Sequence, residues 1–167
     1  MMRRRIAGLL AVVLSLTLVA SACGSDDEDA TKAAFIYVGP VGDAGWTYAH
    51  DQGRAAAAAE TGVETAYVEA VPEGTADFGN HVRDFIDQGY NVIFGTSFGY
   101  MDDMEALAAE FPDVVFDHVS GYKANGTNFG NSFGRMYEPR YLSGMVAGSA
   151  TSSNLIAQMR CSLCGRT

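Results

Sequence analysis

AAFIYVGPVGDAGWTYAHDQGRAAAAAE, residues 33–60, changes character twice. Its first six residues are an unbroken apolar run, the pattern of a strand buried on both faces of a parallel sheet. Gly39-Pro40 ends that run. A glycine-spaced loop then leads into a helix expected from about Trp46 to Glu60, with Gly62 as its stop. Strand, glycine loop and helix make the first half of a βαβ unit. The only tryptophan of the chain, Trp46, stands at the join. A tryptophan there is either core or the flat wall of a binding crevice.

The same alternation continues outward. VETAYVEA (63–70) suits a second strand. DFGNHVRDFIDQG (77–89) puts Phe78, Val82, Phe85 and Ile86 on one helical face. NVIFGTS (91–97) is a third strand, and the helix expected over 101–110 turns Met104, Leu107 and Ala108 inward. DVVFDHV (113–119) is a fourth strand, TNFGNSF (127–133) a weaker, glycine-broken one. Tyr137 to Ala150 suits a helix with Tyr141, Leu142, Met145 and Val146 on one side. The pattern predicts an α/β fold: a doubly wound, mainly parallel sheet with helices on both faces. Ligands of such folds sit beyond the carboxyl ends of the strands. The loops 39–46, 96–100, 120–125 and 133–138 are therefore the candidate site.

The ends of the chain read differently. Arg3, Arg4 and Arg5 precede an apolar stretch too short to span a bilayer well, and Ala20, Ser21 and Ala22 lead to Cys23. VASAC resembles a bacterial lipobox, so residues 1–22 are expected to be a lipoprotein signal peptide and Cys23 the lipidated mature N-terminus. GSDDEDATK, within the segment 23–32, is expected to be an acidic tether. At the other end Cys161 and Cys164 have CxxC spacing, but they lack the second half of a zinc site and the strand–helix setting of a redox motif.

A formal net charge of −9 argues against a nucleic-acid partner, whose phosphates attract Lys/Arg clusters. Gly39, Gly42 and Gly45 have GxxGxxG spacing rather than the dinucleotide fingerprint. No nucleophile elbow, zincin motif or P-loop is present, and His50, His81 and His118 fall in three different elements. No cofactor, metal or catalytic residue is expected. What recurs at the crevice loops is aromatic: Trp46, Phe98 with Tyr100, and Tyr122. Such rings stack on a planar heterocycle or a sugar face. Ser97 and Ser120 add hydroxyls, which serve equally for ligand hydrogen bonds or, at Ser97, for capping the helix that follows. Asp43 reads as an ordinary solvated loop acid.

FIYVGPVGDAGWTYAHDQGR, NVIFGTSFGYMD, FPDVVFDHVSGYK and FGRMYEPRYLSGMVAG, spread in order over residues 33–154, resemble the basic membrane protein family of substrate-binding lipoproteins of ABC importers. The resemblance implies a type I periplasmic-binding-protein fold, with residues 33–154 as its N-terminal lobe. It implies a purine nucleoside or nucleobase as ligand, an ABC permease as partner, attachment to the membrane through the lipid, and no catalysis. It places Trp46 as the ring stacked on the base and Ser97 and Phe98 in the loop after the third strand. Ser120 stands where many relatives carry an acid suited to ribose hydroxyls, which moves the expectation toward a free base such as adenine. Ser120 and Tyr122 complete the expected ligand set. The family continues into a second lobe where this chain reads LIAQMRCSLCGRT, so residues 155–167 are expected to be an aberrant tail. An exported redox or hydrolytic enzyme, or a non-functional fragment, are the competing readings.

Overall fold

The computed structural model of the chain describes residues 30–153 and Leu155. Cys23, the expected signal peptide, most of the tether and nearly all of the expected tail lie outside the described residues. Five strands form one sheet: β1 (Lys32–Ile36), β2 (Glu64–Val68), β3 (Val92–Gly95), β4 (Val115–Val119) and β5 (Phe129–Ser132). All are parallel, in the order β2-β1-β3-β4-β5. The helices are α1 (Trp46–Thr61), α2 (Asp77–Asp87), α3 (Met101–Glu110) and α4 (Tyr137–Ala150), and a short 3-10 turn, Phe98–Tyr100, runs directly into α3. The expected element order is thus present, with strands one to three residues shorter than the runs that predicted them. Val71 and Tyr37 are nonetheless buried, and backbone bonds from Tyr37 N to Val68 O and from Val71 N to Tyr37 O extend the β1–β2 contact beyond the strands.

Pleating sorts the side chains into two layers. Ala34, Ile36, Ile93 and Phe116 meet Phe78 and Val82 of α2 and Met104, Leu107 and Ala108 of α3 in the main core. Both helices therefore turn inward the residues expected of them. The opposite pleat carries Phe35 and Phe94, stacked at 4.5 Å, and faces α1. Tyr100, expected among the crevice aromatics, is instead fully buried: it stacks on Phe78 at 4.2 Å and donates its hydroxyl to Val71 O at 2.6 Å. The 3-10 turn rotates it under the sheet edge while its neighbour Phe98 stays at the rim. Burial, and then the charge of Glu73, push its phenol well above the ordinary range.

The β4–β5 connection has no helix, unlike most parallel connections. Residues 120–128 instead return along α3, where Lys123 pairs with Asp102 (2.8 Å) and Glu105 (2.6 Å). The amide nitrogen of Asn128 lies within hydrogen-bonding distance of three carbonyls, Ala108 O, Phe111 O and Val114 O, which closes the end of α3. On α4 the stripe Tyr141, Leu142, Met145 and Val146 is exposed (56–70 %). A groove of about 450 Å³ lies open between α1 and the sheet, floored by Phe35 and Phe94 and edged by Val119 and Phe133. None of the five expected ligand residues lines it.

Candidate functional site

The strand order reverses direction at β1. The chain steps to β2 on one side, then crosses to β3 on the other. The crevice between the loops after β1 and β3 is the switch point at which doubly wound folds bind ligands.

The loop after β1 is built around Asp43. Asp43 N bonds back to Pro40 O (3.1 Å), and the next residue, Ala44, has φ of +51°. The left-handed residue of this turn is thus an alanine, not one of the glycines. The turn aims the Asp43 carboxylate at the start of α1. It accepts Gly45 N–H (2.8 Å), Thr47 N–H (2.9 Å) and Tyr48 N–H (3.0 Å). Those are donors that the first helical turn leaves without partners, and a carboxylate there also faces the positive end of the helix dipole. The N–H of Tyr48, followed by those of Gly45 and Thr47, holds the Asp43 carboxyl below its usual 3.8. A folded pKa below the unfolded one stabilises the fold above pH 3.8, and that stabilisation fades as pH falls through the folded value. Asp43→Ala should therefore lower the thermal midpoint clearly at pH 7, and by progressively less as pH falls below 3.8. Melting curves of both forms at pH 7 and at a series of pH values below 3.8 check this.

Asp43 thereby fixes Trp46, the first residue of α1. The Trp46 indole N–H donates to Thr96 O at 2.6 Å, joining the β1 loop to the β3 loop across the switch point. The ring is half-buried, with one edge against His50 (centroids 4.6 Å apart, 71° between planes). Burial pushes the His50 imidazole down, so the neighbour of Trp46 is uncharged at neutral pH.

Across the crevice, Phe98 is half-buried and lies 6.3 Å from the ring of Tyr122, which is 68 % exposed. Ser97 has both polar groups engaged. Its hydroxyl donates to Glu73 Oε1, and its carbonyl takes a 2.7 Å bond from His118 Nε2. It does not cap the following helix with its side chain. Glu73 does so from the β2 loop, accepting Gly99 N–H at 2.8 Å. His118 is fully buried; burial lowers its pKa, against a smaller opposing effect of the Ser97 bond, so the neutral ring donates through Nε2. Ser120 adopts φ of +74°, and its N–H reaches Ser132 O at 2.8 Å. The structure thus joins Trp46 to the Ser97–Phe98 loop by a direct bond and Phe98 to Tyr122 by ring contact, while Ser120 binds the β5 end through its backbone.

Asp43 and Glu73 are the residues that sequence reasoning missed. The loop after β2 also lies at the carboxyl edge of the sheet, so the acid in VPEG was findable by the rule that selected the other loops. Asp43 precedes the helix start by three residues, outside the usual capping position. Among the described residues no group of His, Cys, Asp and Glu is placed to hold a metal ion, and no helix is long and apolar enough to cross a membrane.

A five-stranded parallel sheet that winds to both sides of β1 defines a doubly wound α/β domain. Residues 30–160 match the family of PnrA-like ABC transporter substrate-binding proteins, and the chain belongs to that family, whose members are binding proteins rather than enzymes. It is 42% identical over 130 residues to a purine-binding protein of Brucella abortus, covering 77% of this chain and 37% of that one. It is 41% identical over 136 residues to a protein of Haloferax volcanii named as an ABC transporter glucose-binding protein, covering 80% of this chain and 34% of that one. A nucleoside-binding protein of Lactococcus lactis is 25% identical over 166 residues, with 93% and 47% covered. The chain thus spans between a third and a half of the length of these relatives. A solute-binding protein of Conexibacter woesei shares the fold, with a TM-score of 0.60 at 22% identity over 72% of this chain and 40% of that one.

Proposed function

We propose that the chain is the N-terminal lobe (residues 33–154) of a receptor that captures a purine nucleobase or nucleoside outside the cell and hands it to an ABC permease. The observation that carries this reading is Trp46, locked to Thr96 O at the switch point, with the Phe98–Tyr122 pair on the loops after β3 and β4 at the same sheet edge. A purine presents the flat π-face that such rings stack on, at roughly 1–3 kcal/mol per base. The purine-binding relative supports the same ligand class. Export and a lipid on Cys23 complete the reading, on the strength of the basic, apolar and small-residue order that ends at that cysteine.

The relative named for glucose favours a second reading, because an aromatic wall also stacks on a sugar face. Trp46 is the only tryptophan, so its fluorescence reports this site alone. Titrating the purified chain with adenine, adenosine and glucose should give a saturable change with a purine and none with glucose. Saturation with glucose only would make the lobe a sugar binder, and no response to any of the three would remove both readings.

A further inference from the structure

We propose that Glu73 is a ligand-contacting residue, whose free carboxylate oxygen accepts a hydrogen bond from an uncharged, donor-bearing ligand and turns away phosphorylated ones. The inference rests on the binding-site reading above and adds to it a residue and a charge selectivity.

Glu73 lies on the loop after β2, at the same sheet edge as Trp46 and the Ser97–Phe98 loop. Its side chain is held from one side only. Oε1 accepts both Ser97 Oγ–H and Gly99 N–H. Oε2 makes no hydrogen bond among the described residues, and the residue is exposed at the crevice. Charge alone does not require this arrangement, since a carboxylate free to move in water would lose side-chain entropy by being held. The surroundings are shaped to it as well. A Cβ on residue 99 would run into the Glu73 carboxyl group, so glycine at this position is what admits the acid to the start of the helical turn. From beneath, His118 fixes the carbonyl of the same Ser97 whose hydroxyl holds Glu73. The result is a preorganised acceptor beside Phe98.

An acceptor of this kind suits a ribose diol, an exocyclic amine or sugar hydroxyls, all of which donate. It also fills the helix start where a phosphate would otherwise find N–H donors, and it repels a phosphate by its charge.

Glu73→Gln separates ligand contact from loop support. The glutamine carbonyl oxygen can still accept from Ser97 and Gly99, while its amide turns the free side from acceptor to donor. The purified chain and the variant are titrated with adenine, adenosine, adenosine 5′-monophosphate and glucose, following Trp46 emission, and their melting curves are compared. The expected result is an unchanged melting temperature, a loss of tenfold or more for whichever uncharged ligand the wild type binds, and at least tenfold weaker discrimination against the monophosphate. Unchanged affinity in a folded variant overturns the inference and leaves the purine reading standing. So does wild-type binding of the monophosphate as tight as that of adenosine, a result that needs no variant and holds even where Glu73→Gln fails to fold. Wild-type binding of glucose alone overturns the purine reading while the variant still tests Glu73. No binding of any of the four by the wild type overturns both.

Discussion

Trp46→Ala is expected to weaken purine binding by about 1–3 kcal/mol, the range found when a ring stacked on a base is removed. That corresponds to a loss of roughly 5- to 150-fold. Two contributions are combined in it. The ring supplies the stacking face, and its N–H holds the β1 loop against Thr96 O at 2.6 Å. Trp46→Phe parts them, because phenylalanine keeps an aromatic face and loses the N–H. If stacking dominates, Trp46→Phe binds nearly as well as wild type. If the bond to Thr96 dominates, it falls toward the alanine variant. Calorimetry serves for both variants, since each removes the fluorophore. A folded Trp46→Ala protein with wild-type affinity would return the residue to the core, where its contact with His50 and its bond to Thr96 O would be its whole role.

The sheet was readable because its central strands β1 and β3 are apolar on both faces. Runs such as AAFIYV and NVIF leave no polar alternation to confuse with an antiparallel edge. The strand order was not readable, and it decides which loops face one another. That Trp46 reaches Thr96 follows from β1 lying beside β3, a pairing between residues far apart in sequence. Spacing likewise could not separate Phe98 from Tyr100. Two residues apart in an extended loop they would share a side. In the 3-10 turn that forms, one goes to the rim and the other under Phe78. Asp43 and Glu73 were illegible for a related reason. Each looks like a solvated loop acid until the fold brings backbone N–H groups to its carboxylate, three at Asp43 and one at Glu73. The α4 stripe shows the opposite failure, an amphipathic pattern whose apolar side is exposed.

Gly121→Ala is expected to destabilise the domain by about 1–3 kcal/mol, the usual cost of forcing an extra methyl group into a packed site. A Cβ on residue 121 would run into the His118 ring, its nearest neighbours being Nδ1, Cε1 and Cγ. The imidazole has no room to give way. It is fully buried in β4, and Nε2 is tied to Ser97 O at 2.7 Å. The methyl group must therefore displace either the Ser120–Gly121 turn, already held at φ of +74° in Ser120, or the ring itself. A displaced ring would carry Ser97 with it, and through Ser97 the seat of Glu73. The variant should accordingly lose ligand affinity as well as stability, although residue 121 need touch no ligand. A double-mutant cycle tests the route. In a His118→Ala background the clash is gone, so Gly121→Ala should cost little there, with a coupling of about 1–2 kcal/mol between the two positions. Additive costs in denaturant titrations would mean that the glycine is required by its own backbone and that His118 does not link the β3 and β4 loops.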